Sequence, residues 1–205
     1  MKIENTNLKE VKLIMPDVYN DERGHFLESF NEKLSKQLNF NAIQFNESKS
    51  RYGVLRGIHF QKNPYEQSKL IRVIQGEIQD VAIDLRPDSK TYKEYVSVKL
   101  NEKNKNLLFI PKGFGHGFLT LSENAIVSYA VDVKYNPDYD SGVRFNDEVL
   151  NISWLLDSEK IILSKPDLTI FSAKFSSITV PLVCNIISKT PLDFAYSIIW
   201  IIFLL

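Results

Sequence analysis

Three histidines are present, and two of them sit where proton chemistry is possible. His59 lies in residues 53–61 (GVLRGIHFQ) and His116 in residues 110–118 (IPKGFGHGF). An imidazole near neutral pH can take up or release a proton, and it can also ligate a metal. A protein metal site draws on three or more ligands as a rule, and only two well-placed histidines are on offer. Taken singly, each histidine is most simply a satisfied core or loop residue. The elements around them and the residues that accompany them carry the rest of the argument.

Those elements read as short strands. Residues 11–15, 69–73, 77–85, 95–100, 107–110 and 125–133 alternate or run apolar and are rich in β-branched side chains. Turn signals stand between them: Gln75-Gly76, Arg86-Pro87-Asp88-Ser89, residues 101–106, residues 111–117 and Asn136-Pro137-Asp138. Gly76 fits the tight turn of a hairpin between residues 70–74 and 77–83. One helix is predicted at residues 31–38 (NEKLSKQL), with Leu34 and Leu38 on one face and Asn31 as the N-cap. This spacing predicts an all-β sandwich or barrel with few helices.

Composition excludes several functions. Lys+Arg and Asp+Glu are 25 each, so the formal net charge is zero and no basic face for nucleic acid is expected. A single cysteine, Cys184, rules out an internal disulfide framework. The start, MKIENTNLKEVKLIMPD, has no apolar stretch of signal-peptide type, and a cytoplasmic location is expected. No Gly-x-Gly-x-x-Gly dinucleotide fingerprint occurs. The averages hide two parts. Residues 171–205 hold three charges against 47 in the first 170, and 22 of those 35 residues are hydrophobic.

Pro-x-Gly-x-x-His at 111–116 resembles the second motif of the cupin superfamily, and residues 53–61 stand where that superfamily has its first. A cupin-type jelly roll is the fold this resemblance implies. Many cupins bind metal through His-x-His in the first motif; here it reads His59-Phe60-Gln61, and an amide is a poor ligand for a divalent transition metal. Residues 46–89 closely resemble the dTDP-4-dehydrorhamnose 3,5-epimerase family. Residues 21–31 (DERGHFLESFN), 110–118, 135–147 (YNPDYDSGVRFND) and 162–167 (ILSKPD) extend the match in the same order. It covers residues 1 to about 168, so residues 1–170 are expected to form one epimerase domain.

The resemblance implies a nucleotide-linked 4-keto-6-deoxyhexose as substrate, with inversion at carbons 3 and 5 on the way to dTDP-L-rhamnose. A proton alpha to a ketone is acidic because the carbanion delocalises into an enolate. Inversion needs a base on one face, an acid on the other and positive charge at the developing oxyanion. By the resemblance, His59 is the base, Asp167 its orienting carboxylate, Tyr129 the opposite-face acid and Lys69 the cation near the keto oxygen. Arg23, Phe26, Glu28, Gln44, Asn46, Arg56, His116 and Tyr135 are implied to hold the substrate. The implied assembly is a homodimer in which the Arg23–Glu28 segment serves the neighbouring subunit, and no metal, nicotinamide or flavin is implied. Alternatives are a related 3- or 5-epimerase or ketoisomerase, and a non-catalytic cupin sugar-binding module, which needs no acid–base set.

The chain departs from the family pattern at Glu47, at Lys134 and at Pro166, which stands directly before Asp167. It departs most in residues 171–205. The apolar run 194–205 has 12 residues, too short for a spanning helix of about 20. Extra core, an interfacial anchor or an unnatural extension, such as a shifted reading frame would produce, are the readings of that segment, and the last is favoured.

Overall fold

The computed structural model describes residues 1–164. Asp167 and the apolar segment 171–205 lie outside the described residues. Four short strands come first: β1 (Lys2–Asn5), β2 (Lys12–Met15), β3 (Tyr19–Asp21) and β4 (Gly24–Phe26). Helix α1 (Glu32–Leu38) follows. Next come β5 (Gln44–Arg51), β6 (Leu55–Gln61), β7 (Lys69–Gln75), β8 (Glu77–Asp84) and β9 (Tyr95–Asn101). The series closes with β10 (Leu107–Ile110), β11 (Phe114–Thr120), β12 (Asn124–Val131) and β13 (Asp140–Gly142).

The strands form two antiparallel sheets that face each other, the double-sheet jelly roll expected. One has six strands in the order β1-β2-β10-β7-β12-β5, the other five in the order β13-β6-β11-β8-β9. Hairpin β3–β4 stands apart as a two-stranded sheet. Between the large sheets, Ile71, Val73, Leu108, Ala125 and Val127 meet Ile78, Ala82, Val96, Leu100, Phe114 and Phe118. Both outer faces are also covered in part. Helix α1 and its exit place Leu34 and Phe40 on Ile14, Leu70, Leu107 and Phe109 of the six-stranded sheet. The chain after β13 places Val143 and Leu150 on Ile58, Val81 and Ile83 of the five-stranded sheet. That explains why β8 is buried along nearly its whole length.

Asn31 caps α1 as predicted, its Oδ1 accepting from the Leu34 amide at 3.0 Å. Two expectations fail. Gly76 does not close a hairpin: β7 pairs with β10 and β12, whereas β8 pairs with β11 and β9. The turn instead carries the chain from one sheet to the other. It does so against β12, at φ +80°, where a Cβ would lie 2.1 Å from the Asn124 carbonyl oxygen. Residues 111–117 are not simply a turn either. Their second half starts β11, a central strand whose residues are all buried.

The pairing of β11 with β6 is irregular in a useful way. His116 is opposite His59, but Phe118 is opposite Arg56, so two residues on β11 span three on β6. This is a β-bulge, and it breaks the alternation of β6 so that Arg56 and His59 face the same side. Gly57 sits in the bulge at φ +111°, where a Cβ would lie 2.6 Å from the His116 carbonyl oxygen and 2.7 Å from the Gly117 Cα. Both neighbours are backbone and cannot yield. Gly57→Ala is therefore expected to cost at least about 2 kcal/mol, read as a fall in denaturation midpoint. An unchanged midpoint would show that the bulge does not need glycine.

Candidate active site

A cavity of about 540 Å³ opens between the sheets. The five-stranded wall supplies Arg56, His59, Phe60 and Gln61 from β6, with His116 and Phe118 from β11. The facing wall supplies Gln44, Asn46 and Ser48 from β5, Lys69 from β7 and Tyr129 from β12. Gln67, Tyr135, Asp140 and Ser164 complete the lining. Eight of the residues singled out from the sequence thus share one cavity: His59, Lys69, Tyr129, Gln44, Asn46, Arg56, His116 and Tyr135.

Four do not. Arg23 is on the exposed β3–β4 hairpin, ion-paired with Asp21. Phe26 and Glu28 border a separate pocket of about 260 Å³ with Met1, Asp17 and Tyr19. Phe26 is 65% exposed. Asp167 lies outside the described residues.

Strand alternation explains why β5 contributes so many polar groups. Gln44, Asn46 and Ser48 fall on the cavity side, and Ser50 below them accepts from Arg56 Nε at 2.9 Å. Arg56 Nη2 also donates to the Lys49 carbonyl at 3.3 Å. An arginine rooted on one sheet is thereby held against the other. Gln44 Nε2 donates to Asn46 Oδ1 at 2.8 Å, which fixes both amides. Tyr129 stands opposite Asn46 in the β12–β5 pairing.

The charges are unevenly matched. Burial pushes the Lys69 ammonium down to about 8, although Asp140 and Asp80 pull it upward. Burial raises the Tyr129 phenol, with Arg56 opposing, so the hydroxyl keeps its proton at neutral pH. Tyr135 is raised by burial and by Asp140, to which its hydroxyl donates at 3.1 Å. A proton-bearing phenol on one wall thus faces an imidazole on the other, with an ammonium beside the phenol.

Sequence reasoning misses several lining residues. From the sequence Gln61 is only a lost metal ligand; the structure gives its amide a role. Its Oε1 accepts from the Asn136 amide at 2.6 Å, and its Nε2 donates to the Tyr65 carbonyl at 2.8 Å and the Lys134 carbonyl at 3.3 Å. The loop bearing Tyr135 is braced by a group that both donates and accepts, which a neutral imidazole cannot do at three points. Among the described residues, no group of three His, Cys, Asp or Glu side chains is gathered for a metal. Asp80 also escapes sequence reasoning. It lies under His116, whose Nε2 is 2.5 Å from Asp80 Oδ1. Its signal is a charged residue two places from Ile78 and from Ala82, between apolar residues of the inward face.

Known proteins share this sequence and fold. Residues 5–174 match the family model described as dTDP-4-dehydrorhamnose 3,5-epimerase. A dTDP-4-dehydrorhamnose 3,5-epimerase from Methanothermobacter thermautotrophicus is 47% identical over 165 residues, spanning 79% of this chain and 89% of the relative. A crystal structure of that enzyme from Elizabethkingia anophelis superposes with a TM-score of 0.82 at 41% identity, covering 87% of this chain and 99% of the other. A dTDP-6-deoxy-D-glucose-3,5-epimerase from Legionella pneumophila, in complex with dTDP-4-keto-L-rhamnose, gives 0.82 at 39% identity, covering 85% and 94%. A cavity that gathers these side chains, in a fold and sequence shared with such relatives, places the chain in the dTDP-4-dehydrorhamnose 3,5-epimerase family.

Proposed function

We propose that the protein is an isomerase that converts dTDP-4-dehydro-6-deoxy-D-glucose to dTDP-4-dehydro-L-rhamnose, a step in dTDP-L-rhamnose biosynthesis. The observation that carries this reading is the placement of His59 on one wall of the cavity and of Tyr129 and Lys69 on the facing wall. A sugar ring between them meets a base on one side and a proton donor on the other.

In this mechanism His59 removes the proton from carbon 3 or carbon 5 of the bound hexose. Negative charge moves to the keto oxygen at carbon 4, where the Lys69 ammonium stabilises it. Tyr129 gives a proton to the opposite face of the enolate, and the configuration at that carbon is inverted. Asp167 orients His59 by accepting from its second ring nitrogen. Arg56 binds the diphosphate, Tyr135 stacks on the nucleotide base, and Gln44, Asn46 and His116 hold the substrate. All of this needs proton transfer and fixed charge only.

Arg23, Phe26 and Glu28 belong to the same proposal through a homodimer. Within one subunit they stand outside the cavity, on a hairpin apart from the main sheets, with Phe26 uncovered. Reaching into a neighbouring subunit's cavity gives each of them a place against the substrate. A cytoplasmic location, where a nucleotide-sugar substrate is made, completes the proposal. Among the described residues no helix is long and apolar enough to cross a membrane.

The test is incubation with dTDP-4-keto-6-deoxyglucose in deuterated water, followed by NMR at carbons 3 and 5. Deuterium at both carbons is expected. Deuterium at one identifies a single-carbon epimerase, and none, with the nucleotide still bound, refutes catalysis. His59→Ala should lower exchange by about a thousandfold while nucleotide affinity holds; surviving exchange would remove His59 as the base. Lys69 supplies the pH signature. It is an ammonium below about 8 and loses its proton above, so the activity that depends on it is full at lower pH and falls as pH rises through 8. In Lys69→Met that alkaline limb should vanish along with about a hundredfold of the rate. A limb that persists would assign it to another group.

A further inference from the structure

Asp80 moves no proton in the proposed mechanism, where its charge only helps to keep Lys69 an ammonium, yet it grips one of the two cavity histidines. It is fully buried on β8, on the same face as Ile78 and Ala82. Its Oδ1 is 2.5 Å from His116 Nε2, and its Oδ2 is buried without a hydrogen-bond partner. Asp84, four residues along the same strand, shows how the fold satisfies a structural carboxylate. It accepts from Arg86 at 2.9 and 2.8 Å and from Thr91 Oγ1 at 2.7 Å, with Ser89 also donating. Asp80 has none of that. A half-satisfied buried carboxylate costs stability rather than adding to it. Its presence is explained by what it holds.

A carboxylate can only accept, so the hydrogen between the two groups sits on His116 Nε2. The ring lines the cavity, and its Nδ1 makes no hydrogen bond among the described residues. We propose that Asp80 is the positioning residue for His116: it fixes the neutral ring in the Nε2–H tautomer and so presents Nδ1 to the bound sugar as the acceptor for a ring hydroxyl near the ketone. The proposal rests on the epimerase reading and deepens it, since it names the part of the hexose that His116 recognises. A bare Nδ1 in a desolvated cavity rejects a sugar lacking that hydroxyl, because the nitrogen would then be left unpaired. The lock acts through tautomer and ring orientation, and Asp80 itself touches no substrate.

The test reads the tautomer directly by ¹⁵N NMR of His116 in the intact protein. Nε2 protonated and Nδ1 bare is expected; a hydrogen on Nδ1 overturns the proposal. In Asp80→Leu the ring should populate both tautomers, and carbon-bound exchange should fall about a hundredfold while dTDP affinity stays within about twofold. Asp80→Asn keeps an acceptor oxygen and should recover about tenfold of that loss. It serves as the test variant if the leucine protein does not fold. An Asp80→Leu protein with a single tautomer and full exchange would also overturn the proposal. A wild-type protein with the expected tautomer but no exchange would refute the epimerase reading and leave the hold of Asp80 on His116 standing.

Discussion

The cavity depends on how closely β6 lies against β11. Two residues of β11 match three of β6 at the bulge, and the contact is possible because Gly57 meets the His116 carbonyl and the Gly117 Cα without a side chain. Regular alternation would send Arg56 and His59 to opposite faces. The bulge puts the diphosphate-binding candidate and the proposed base side by side. It also leaves Ile58 free to join the outer cluster with Val81, Ile83 and Val143, so the distortion is backed by apolar packing. A functional constellation on the inside is thus stabilised by burial on the outside.

Division of labour between the sheets follows from that arrangement. The five-stranded sheet carries both histidines and Arg56, and the six-stranded sheet carries Lys69, Tyr129 and the polar ladder of β5. Neither wall alone holds both the proposed acid and the proposed base. Their separation is set by the core below, where Ile71 and Val127 pack toward Ile78 and Phe118. Inversion of a carbon requires groups on both faces of the sugar, and a sandwich with a cavity between its sheets supplies two faces by construction. Burial then tunes them: it lowers the lysine and raises the tyrosine, which brings the lysine toward neutral pH and keeps the phenol protonated.

Legibility in the sequence is uneven, for physical reasons. Strands with an apolar face are legible nearly to the residue: the pattern predicts β10 at 107–110, as observed, and β12 at 125–133 against Asn124–Val131. Strand β5 (QFNESKSR) escapes because its cavity face is as polar as its solvent face, so it carries no hydrophobic period. Strand β11 reads as a turn because its glycines look like punctuation. They are in fact the positions that let β6 and β11 approach, with Gly117 3.0 Å from the Arg56 carbonyl oxygen by its would-be Cβ. The site is more legible than the strands that build it, since family resemblance names residues without needing their elements. Asp80 escapes because no spacing rule links it to His116, 36 residues away in the chain. Arg23, Phe26 and Glu28 stand outside the cavity, on or beside the β3–β4 hairpin.

The proposed mechanism requires one sugar ring between His59 on one sheet and Tyr129 on the other. A crystal structure of the protein with a dTDP-linked 6-deoxyhexose would reveal that placement. Carbons 3 and 5 are expected within roughly 3.5 Å of the His59 ring on one face, with the Tyr129 hydroxyl over the opposite face and Lys69 at the carbon 4 oxygen. A sugar seated outside the cavity, or one with His59 and Tyr129 on the same face, would contradict it.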